Sequence, residues 1–165
     1  MTAAMKIYEL TASMAGTDKT DGTVRFKNAD DQTVDTNNPI TIPSDNYIAK
    51  SYTKQLRMYC ATAPDTQIDN LQVYSDGAGF GTGITVNASN VGVSFSANAT
   101  AEMTDGNDLF GFTSGAALNL DAVDSAVITA TGFGGDILKL QMTVASTAGS
   151  GTLAAETITF SYDEI

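Results

Sequence analysis

The sequence contains no histidine. Imidazole is the usual general base near neutral pH, the partner that activates catalytic serine and cysteine, and a common metal ligand. Its absence excludes Ser-His-Asp and Cys-His nucleophiles and imidazole metal sites. A carboxylate pair that hydrolyses glycosides is still conceivable with Glu9, Glu102, Glu156 and many aspartates, but no spacing singles out a pair. We therefore expect no enzymatic activity.

Cysteine and tryptophan are also scarce: Cys60 is the only cysteine, and the sequence contains no tryptophan. A single cysteine cannot form an internal disulfide, and its place among alternating apolar residues predicts a small buried side chain. The lack of disulfides favours folding in a reducing cytosol. The missing tryptophan removes the strongest platform for stacking sugars and leaves only weaker ones, Tyr47, Tyr52, Tyr59 and Tyr74.

Positive charge is nearly absent after residue 57. The net charge is −11, and residues 58–165 carry Lys139 alone against twelve acidic residues, whereas residues 1–57 are neutral. Such a surface repels phosphate backbones, so direct binding to nucleic acid is not expected. The N-terminus lacks the pattern of a signal peptide, and no apolar run approaches the roughly 18 residues of a membrane span. Neither export by the standard route nor membrane insertion is expected.

Alternating apolar and polar residues dominate the rest of the sequence. The longest example is the stretch from Tyr52 to Gly77, where two alternating runs flank Pro64 and Asp65. Period-two alternation is typical of half-buried strands, and the Pro-Asp pair is typical of a turn. We therefore expect two neighbouring antiparallel strands joined as a hairpin.

Further alternating runs predict the remaining strands, and the last two should pair with each other. The runs are 5–12, 23–28, 32–34, 40–42, 84–86, 91–101, 127–129, 138–144 and 157–162. One or two helical turns are expected at 116–121. Turn signals every eight to twelve residues predict an all-β fold, an antiparallel β-sandwich (jelly-roll or Ig-like) of about nine or ten strands. Residues 1–20 form an N-terminal segment or arm, or else part of the sandwich, and 21–165 a single domain.

Two loops contain patterns that also occur in ligand sites. Ser75 to Gly83 has four glycines, but their spacing misses G-x-G-x-x-G and a strand follows, so we expect a wide turn with positive φ. Asp105, Asn107 and Asp108 offer oxygen ligands without the closing glutamate of a calcium loop. Surface-turn chemistry is favoured there, and no cofactor or metal is expected.

Two apolar groups are the candidate contact residues. The N-terminal group comprises Ile7, Tyr8 and Leu10, which belong either to a first strand or to an arm that pairs with a neighbouring subunit. The second group, Leu109, Phe110 and Phe112, crowds a loop; it either plugs one end of the sandwich, the favoured interpretation, or anchors on a partner.

A family resemblance adds to this interpretation. The strand-like residues 54–59, then 66–77, then the glycine-rich turn resemble structural proteins of tailed bacteriophages, most of all small β-sandwich proteins that decorate or cement a capsid. The likeness covers roughly residues 50–100, and the closing strand 157–164 is in keeping with it. It implies a non-enzymatic virion protein, folded in the host cytoplasm, that binds the major capsid protein or another virion protein as a homo-oligomer.

The alternative function is a carbohydrate-binding or receptor-binding β-sandwich module. Exposed tyrosines beside an Asp/Asn-rich loop would serve it, with or without calcium.

Overall fold

The computed structural model describes residues 2–11, 16–124 and 127–165; the expected segment 1–20 thus includes residue 1 and residues 12–15, which lie outside the described residues. The strands are β1 (Ala4–Leu10), β2 (Gly16–Asp18), β3 (Ala49–Lys50), β4 (Lys54–Thr62), β5 (Ile68–Ser75), β6 (Ile84–Asn90), β7 (Asn107–Asp108), β8 (Leu118–Asn119), β9 (Gly132–Val144) and β10 (Ile158–Glu164). Leu109–Gly111 forms one 3-10 turn.

The strands form two antiparallel sheets. Sheet A has the order β2-β1-β4-β9-β6-β7, with β3 pairing the end of β9, and sheet B has the order β10-β5-β8. Val73 and Leu71 of sheet B and Leu56, Met58 and Leu140 of sheet A are at most 2% exposed and belong to one core. The all-β fold with two layers around an apolar interior is confirmed.

The expected hairpin is wrong, although both of its strands exist. β4 lies in sheet A between β1 and β9, whereas β5 lies in sheet B between β10 and β8. The Pro64-Asp65 segment therefore crosses from one sheet to the other. The expected pairing of the last two strands is wrong for the same reason, because β9 pairs with β4 and β6 while β10 pairs with β5. Alternation specifies which face of a strand is buried and not which strand lies beside it.

Four expected strands, 23–28, 32–34, 40–42 and 91–101, are irregular segments. The run 127–129 contributes only an isolated bridge between Ile128 and Ile68, and 116–121 contains β8 rather than a helix. Val24, Phe26, Ile40 and Ile42 still pack against the core. The alternation of apolar and polar residues in these segments thus reflects burial of one side of the chain, although the segments pair with no strand.

The irregular segment 91–106 covers part of the outer face of sheet A. Gln141 is fully buried beneath it: its Nε2 donates to Ala101 O at 3.0 Å, and its Oε1 accepts from Met103 N at 3.0 Å. Gln55 is also fully buried and donates to Ser96 O at 2.6 Å. Side-chain amides on the sheet thus replace the partner strand that the segment lacks, since buried backbone groups need partners.

Candidate binding cleft

A cleft of about 1020 Å³ opens between the two layers. Its floor is the inner face of sheet A, and its walls come from the irregular segments 19–42 and 149–157, from β10 and from the 3-10 turn. Residues that line it include Leu56, Val86, Leu140, Met142 and Val144 on the floor and Phe26, Ile40, Ile42, Leu153, Ile158 and Phe160 on the walls. The lining is therefore mainly apolar.

The unequal width of the sheets explains the cleft. Sheet B has three strands and sheet A has seven, so sheet B covers only part of the inner face of sheet A. The cleft lies beyond β10 rather than beyond β8, because Ile158 and Phe160 line it and no β8 residue does. β10 is an edge strand of sheet B, and its only strand partner among the described residues is β5.

A cluster of charged residues fixes the segment that forms one wall of the cleft. Lys54, on β4, is 1% exposed; its Nζ lies 2.9 Å from Glu9 Oε1 and also donates to Asp31 O. Lys19 Nζ lies 3.5 Å from Glu9 Oε2 and donates to Gln32 O at 3.1 Å. Two buried lysines on the sheet side thus hold the backbone of residues 31–32 in place.

Lys27 completes this cluster from within the segment. Its ammonium is buried and contacts Asp31 Oδ1 at 2.8 Å, Asp35 Oδ1 at 2.9 Å and Thr33 O at 3.3 Å. The hydrogen bonds that the Lys27 ammonium donates to Asp31 and Asp35 raise the pKa of Lys27, and the same bonds lower the pKa of both carboxyl groups. The three groups are therefore held in their charged forms.

The predicted contact residues do not form one site. Ile7 lines the cleft, and so do Leu109 and Phe110, although Leu109 is 3% exposed and belongs to the core. Leu10 is only 1% exposed, so neither it nor Leu109 offers much side-chain area to a partner in this conformation.

Tyr8 and Phe112 lie away from the cleft lining. Tyr8 packs edge-to-face with Tyr59 and Phe133, with centroids 5.3 and 5.7 Å away. Phe112 is half-buried against the core, and Phe110 meets Phe80 edge-to-face at 5.5 Å. These contacts accord with the favoured interpretation of residues 109–112 as a plug.

Sequence reasoning missed Ile158 and Phe160 as wall residues and Lys27 and Lys54 as buried cations. The sequence predicts a strand at 157–162, but alternation does not reveal that the strand is at an edge. Lys27 occupied an outward position of a predicted strand. The one available signal was the net charge of zero over residues 1–57, where equal numbers of basic and acidic residues could pair with each other.

Three smaller expectations concern the two loops and the cysteine. Three of the four glycines in the wide turn, Gly77, Gly81 and Gly83, have positive φ as expected, whereas Gly79 does not. Asp108 caps the 3-10 turn by accepting from Phe110 N at 3.2 Å, which is surface-turn chemistry. Cys60 is fully buried, and burial raises the pKa of its thiol.

No protein-family model, curated protein or solved structure matches this chain. Within the described ranges, no helix has the length and apolar character needed to cross a bilayer. In the same ranges, no three Cys, Asp or Glu side chains are grouped so that they could hold a metal ion.

Proposed function

We propose that this protein is a structural component of a tailed-bacteriophage virion, a capsid decoration protein that binds across capsid subunits as a homo-oligomer. The observation that supports the proposal best is the open apolar cleft beside the edge of sheet B. Large exposed apolar surfaces on a protein mark interaction sites, and contact with another protein is one of them. The recess leaves part of the sandwich interior to be covered by a partner.

Binding to the assembled particle provides a thermodynamic role for such a protein. A protein that binds the lattice and not the free subunit stabilises the lattice by mass action. Repetition of the same contact around a symmetric shell adds avidity when the protein is oligomeric. Because this role needs contact surface and no reactive group, it agrees with a chain that lacks histidine and has one buried cysteine.

Co-sedimentation tests the proposal. Purified protein is incubated with assembled heads of the phage that encodes it, stripped of this protein, and separately with unassembled capsid protein. We expect saturable binding to the heads at a fixed copy number per capsid subunit and a higher melting temperature of the heads. Folded protein that stays in the supernatant at all concentrations would contradict the proposal.

The carbohydrate-binding alternative is left with weaker support. Tyr59 is engaged by Tyr8 and Phe133 (ring centroids 5.3 and 5.0 Å away), so its face is not free for a sugar. Tyr47 is 66% exposed, but it lies on an irregular segment and does not line the cleft. Binding to a glycan array in the presence of calcium would favour this alternative.

A further inference from the structure

We infer that the cleft receives an extended segment of the virion partner, which adds to sheet B as a fourth strand along β10 and carries lysine or arginine next to alternating apolar residues. This inference rests on the proposed function, because it specifies which element of the partner enters the cleft.

The hydrogen bonds of β5 show which of its residues face β10. Ser75 N donates to Phe112 O at 2.9 Å, and Leu71 O accepts from Leu120 N at 2.8 Å; both partners lie on the side away from β10. In an antiparallel strand, consecutive residues direct their backbone groups to opposite sides. The even-numbered residues 72 and 74 are therefore the ones that bond to β10.

The register then identifies the free backbone groups of β10. Residues 74 and 72 lie opposite Thr159 and Ser161, so these two β10 residues direct their N–H and C=O towards β5. Ile158 precedes Thr159, and Phe160 lies between Thr159 and Ser161. These two residues therefore direct their N–H and C=O groups to the open edge. Unpaired strand edges of this kind are the templates to which an extended chain adds.

The side chains on the same edge fit this addition. Ile158 and Phe160 are half-buried and line the cleft, whereas Val73 in the neighbouring strand is fully buried. In an added strand, alternate side chains would point to the same face as these two and enter the cleft. The cleft, with a volume of about 1020 Å³, is large enough to receive several side chains.

Charge selects the partner strand. Sheet B carries Asp69, Asp163 and Glu164 and has no lysine or arginine in its three strands. Glu156 lines the cleft just before β10, so acidic residues flank both ends of this strand, whereas the basic lining residues Lys19 and Arg25 belong to the wall formed by residues 19–42. A second copy of β10 would add only acidic side chains to this acidic edge and therefore offers no complementary charge. A strand with basic residues at its ends provides the complementary charge.

Hydrogen exchange with a defined peptide tests the inference. The probe is a nine-residue peptide with lysine at each end and valine alternating with threonine between. One control has the same composition with its valines in a single block, and a second has glutamate in place of lysine. At saturation with the alternating lysine peptide, the amides of Ile158 and Phe160 should exchange roughly tenfold more slowly or more, because they gain partners. The amides of Thr159 and Ser161 should change much less.

Several results would overturn the inference. One is the absence of added protection at Ile158 and Phe160, and another is equal protection by the peptide with blocked valines. A third is protection that rises with the concentration of the protein alone, which would make a second copy the occupant. A fourth is binding of an apolar dye in the cleft under conditions in which the peptide does not protect the amides of Ile158 and Phe160.

An exposed charge provides a variant that keeps the fold. Asp163→Lys should weaken binding of the lysine peptide by roughly two- to fivefold and strengthen binding of the glutamate peptide by a similar factor. Asp45→Lys, which changes the same charge on the irregular segment before β3, should alter neither. Equal effects of the two variants would contradict the charge argument.

The inference and the proposed function fail in different ways. If the protein co-sediments with heads while Ile158 and Phe160 exchange at their free rates in the complex, the function stands and the strand addition is wrong. If the peptide protects both amides but no head binds the protein, the strand addition stands and the function is wrong.

Discussion

At the scale of single residues, Gln141 connects the sheet to the segment that crosses it. Gln141→Met preserves the volume but leaves the N–H of Met103 and the C=O of Ala101 and Ser51 without their present partner. Because unsatisfied buried groups cost about 1–3 kcal/mol each, we expect a loss of roughly 2–4 kcal/mol in the free energy of unfolding. Urea denaturation measures it. Gln72→Met on the partly exposed face of β5 is the matched control and should stay within about 0.5 kcal/mol of the parent protein.

A side chain at Gly83 would incur two separate costs, a left-handed backbone conformation and a steric clash, whereas one at Gly81 would incur only the first. The φ of Gly83 is +78°, and a Cβ there would lie 2.6 Å from Ala148 N, whereas Gly81 has φ +93° and open space around it. Gly81→Ala should cost only the left-handed backbone, about 1–2 kcal/mol. Gly83→Ala should cost clearly more, because the backbone at Ala148 must also move. Equal melting temperatures for the two variants would show that the clash is relieved without cost.

Cys60 reports on opening of the core. Its side chain is fully buried and its pKa is raised by burial, so little thiolate is accessible in the folded protein. We expect labelling by an aromatic disulfide reagent to follow the rate of core opening and to accelerate sharply across the urea transition. Stoichiometric labelling within seconds in native buffer would contradict the burial of this residue.

At the scale of elements, the Lys27 cluster makes the irregular wall of the cleft sensitive to pH. The pKa values of Asp31 and Asp35 are lowered, so their contribution is present above the unfolded value of about 3.9 and lost as pH falls through the folded values. The pKa of Lys27 is raised, so its contribution is present below about 10.4 and lost above that, as pH rises through the folded value. The protection factors of the amides in residues 28–37, which are corrected for the intrinsic pH dependence of exchange, should therefore fall at both extremes.

A substitution distinguishes this cluster from general acid unfolding. Lys27→Met should release residues 28–37 already at pH 7 and remove their additional acid response. Lys50→Met, which breaks the more exposed pair of Lys50 with Glu102 (3.0 Å), is the control and should leave the exchange of residues 28–37 unchanged. If both variants exchange as the parent does, the cluster does not hold the segment.

Strands β4 and β9 show how far sequence reasoning reached at this scale. The alternation of Leu56, Met58 and Cys60 identified a strand and its core-facing side correctly, but not that the opposite face is buried too, with Gln55 at 0% and Arg57 at 7% exposure. It could not identify β9 as the neighbour, because any apolar strand of matching length satisfies the same pattern. The cleft was not foreseeable, since it follows from the difference in width between the two sheets.

At the scale of the whole molecule, the missing histidine predicts a flat dependence of stability on pH. No side chain of this sequence has an ordinary pKa between those of the carboxylates and the thiol. We expect the urea midpoint to stay constant between about pH 5 and pH 8, where histidine would otherwise titrate. A pronounced change near pH 6.5 would require a strongly shifted carboxyl group in the folded protein.

The order of strands in sheet A also bears on how the chain is made. β9 separates β4 from β6, yet Leu138 lies 82 positions after its partner Leu56. During translation, the ribosome must therefore add these 82 residues after Leu56 before the middle of this sheet can close. Until then β4 and β6 emerge without their common neighbour, and closure over so long a loop is slow. Newly synthesised molecules should consequently depend on chaperones that shield apolar strands more than a protein built from successive hairpins would.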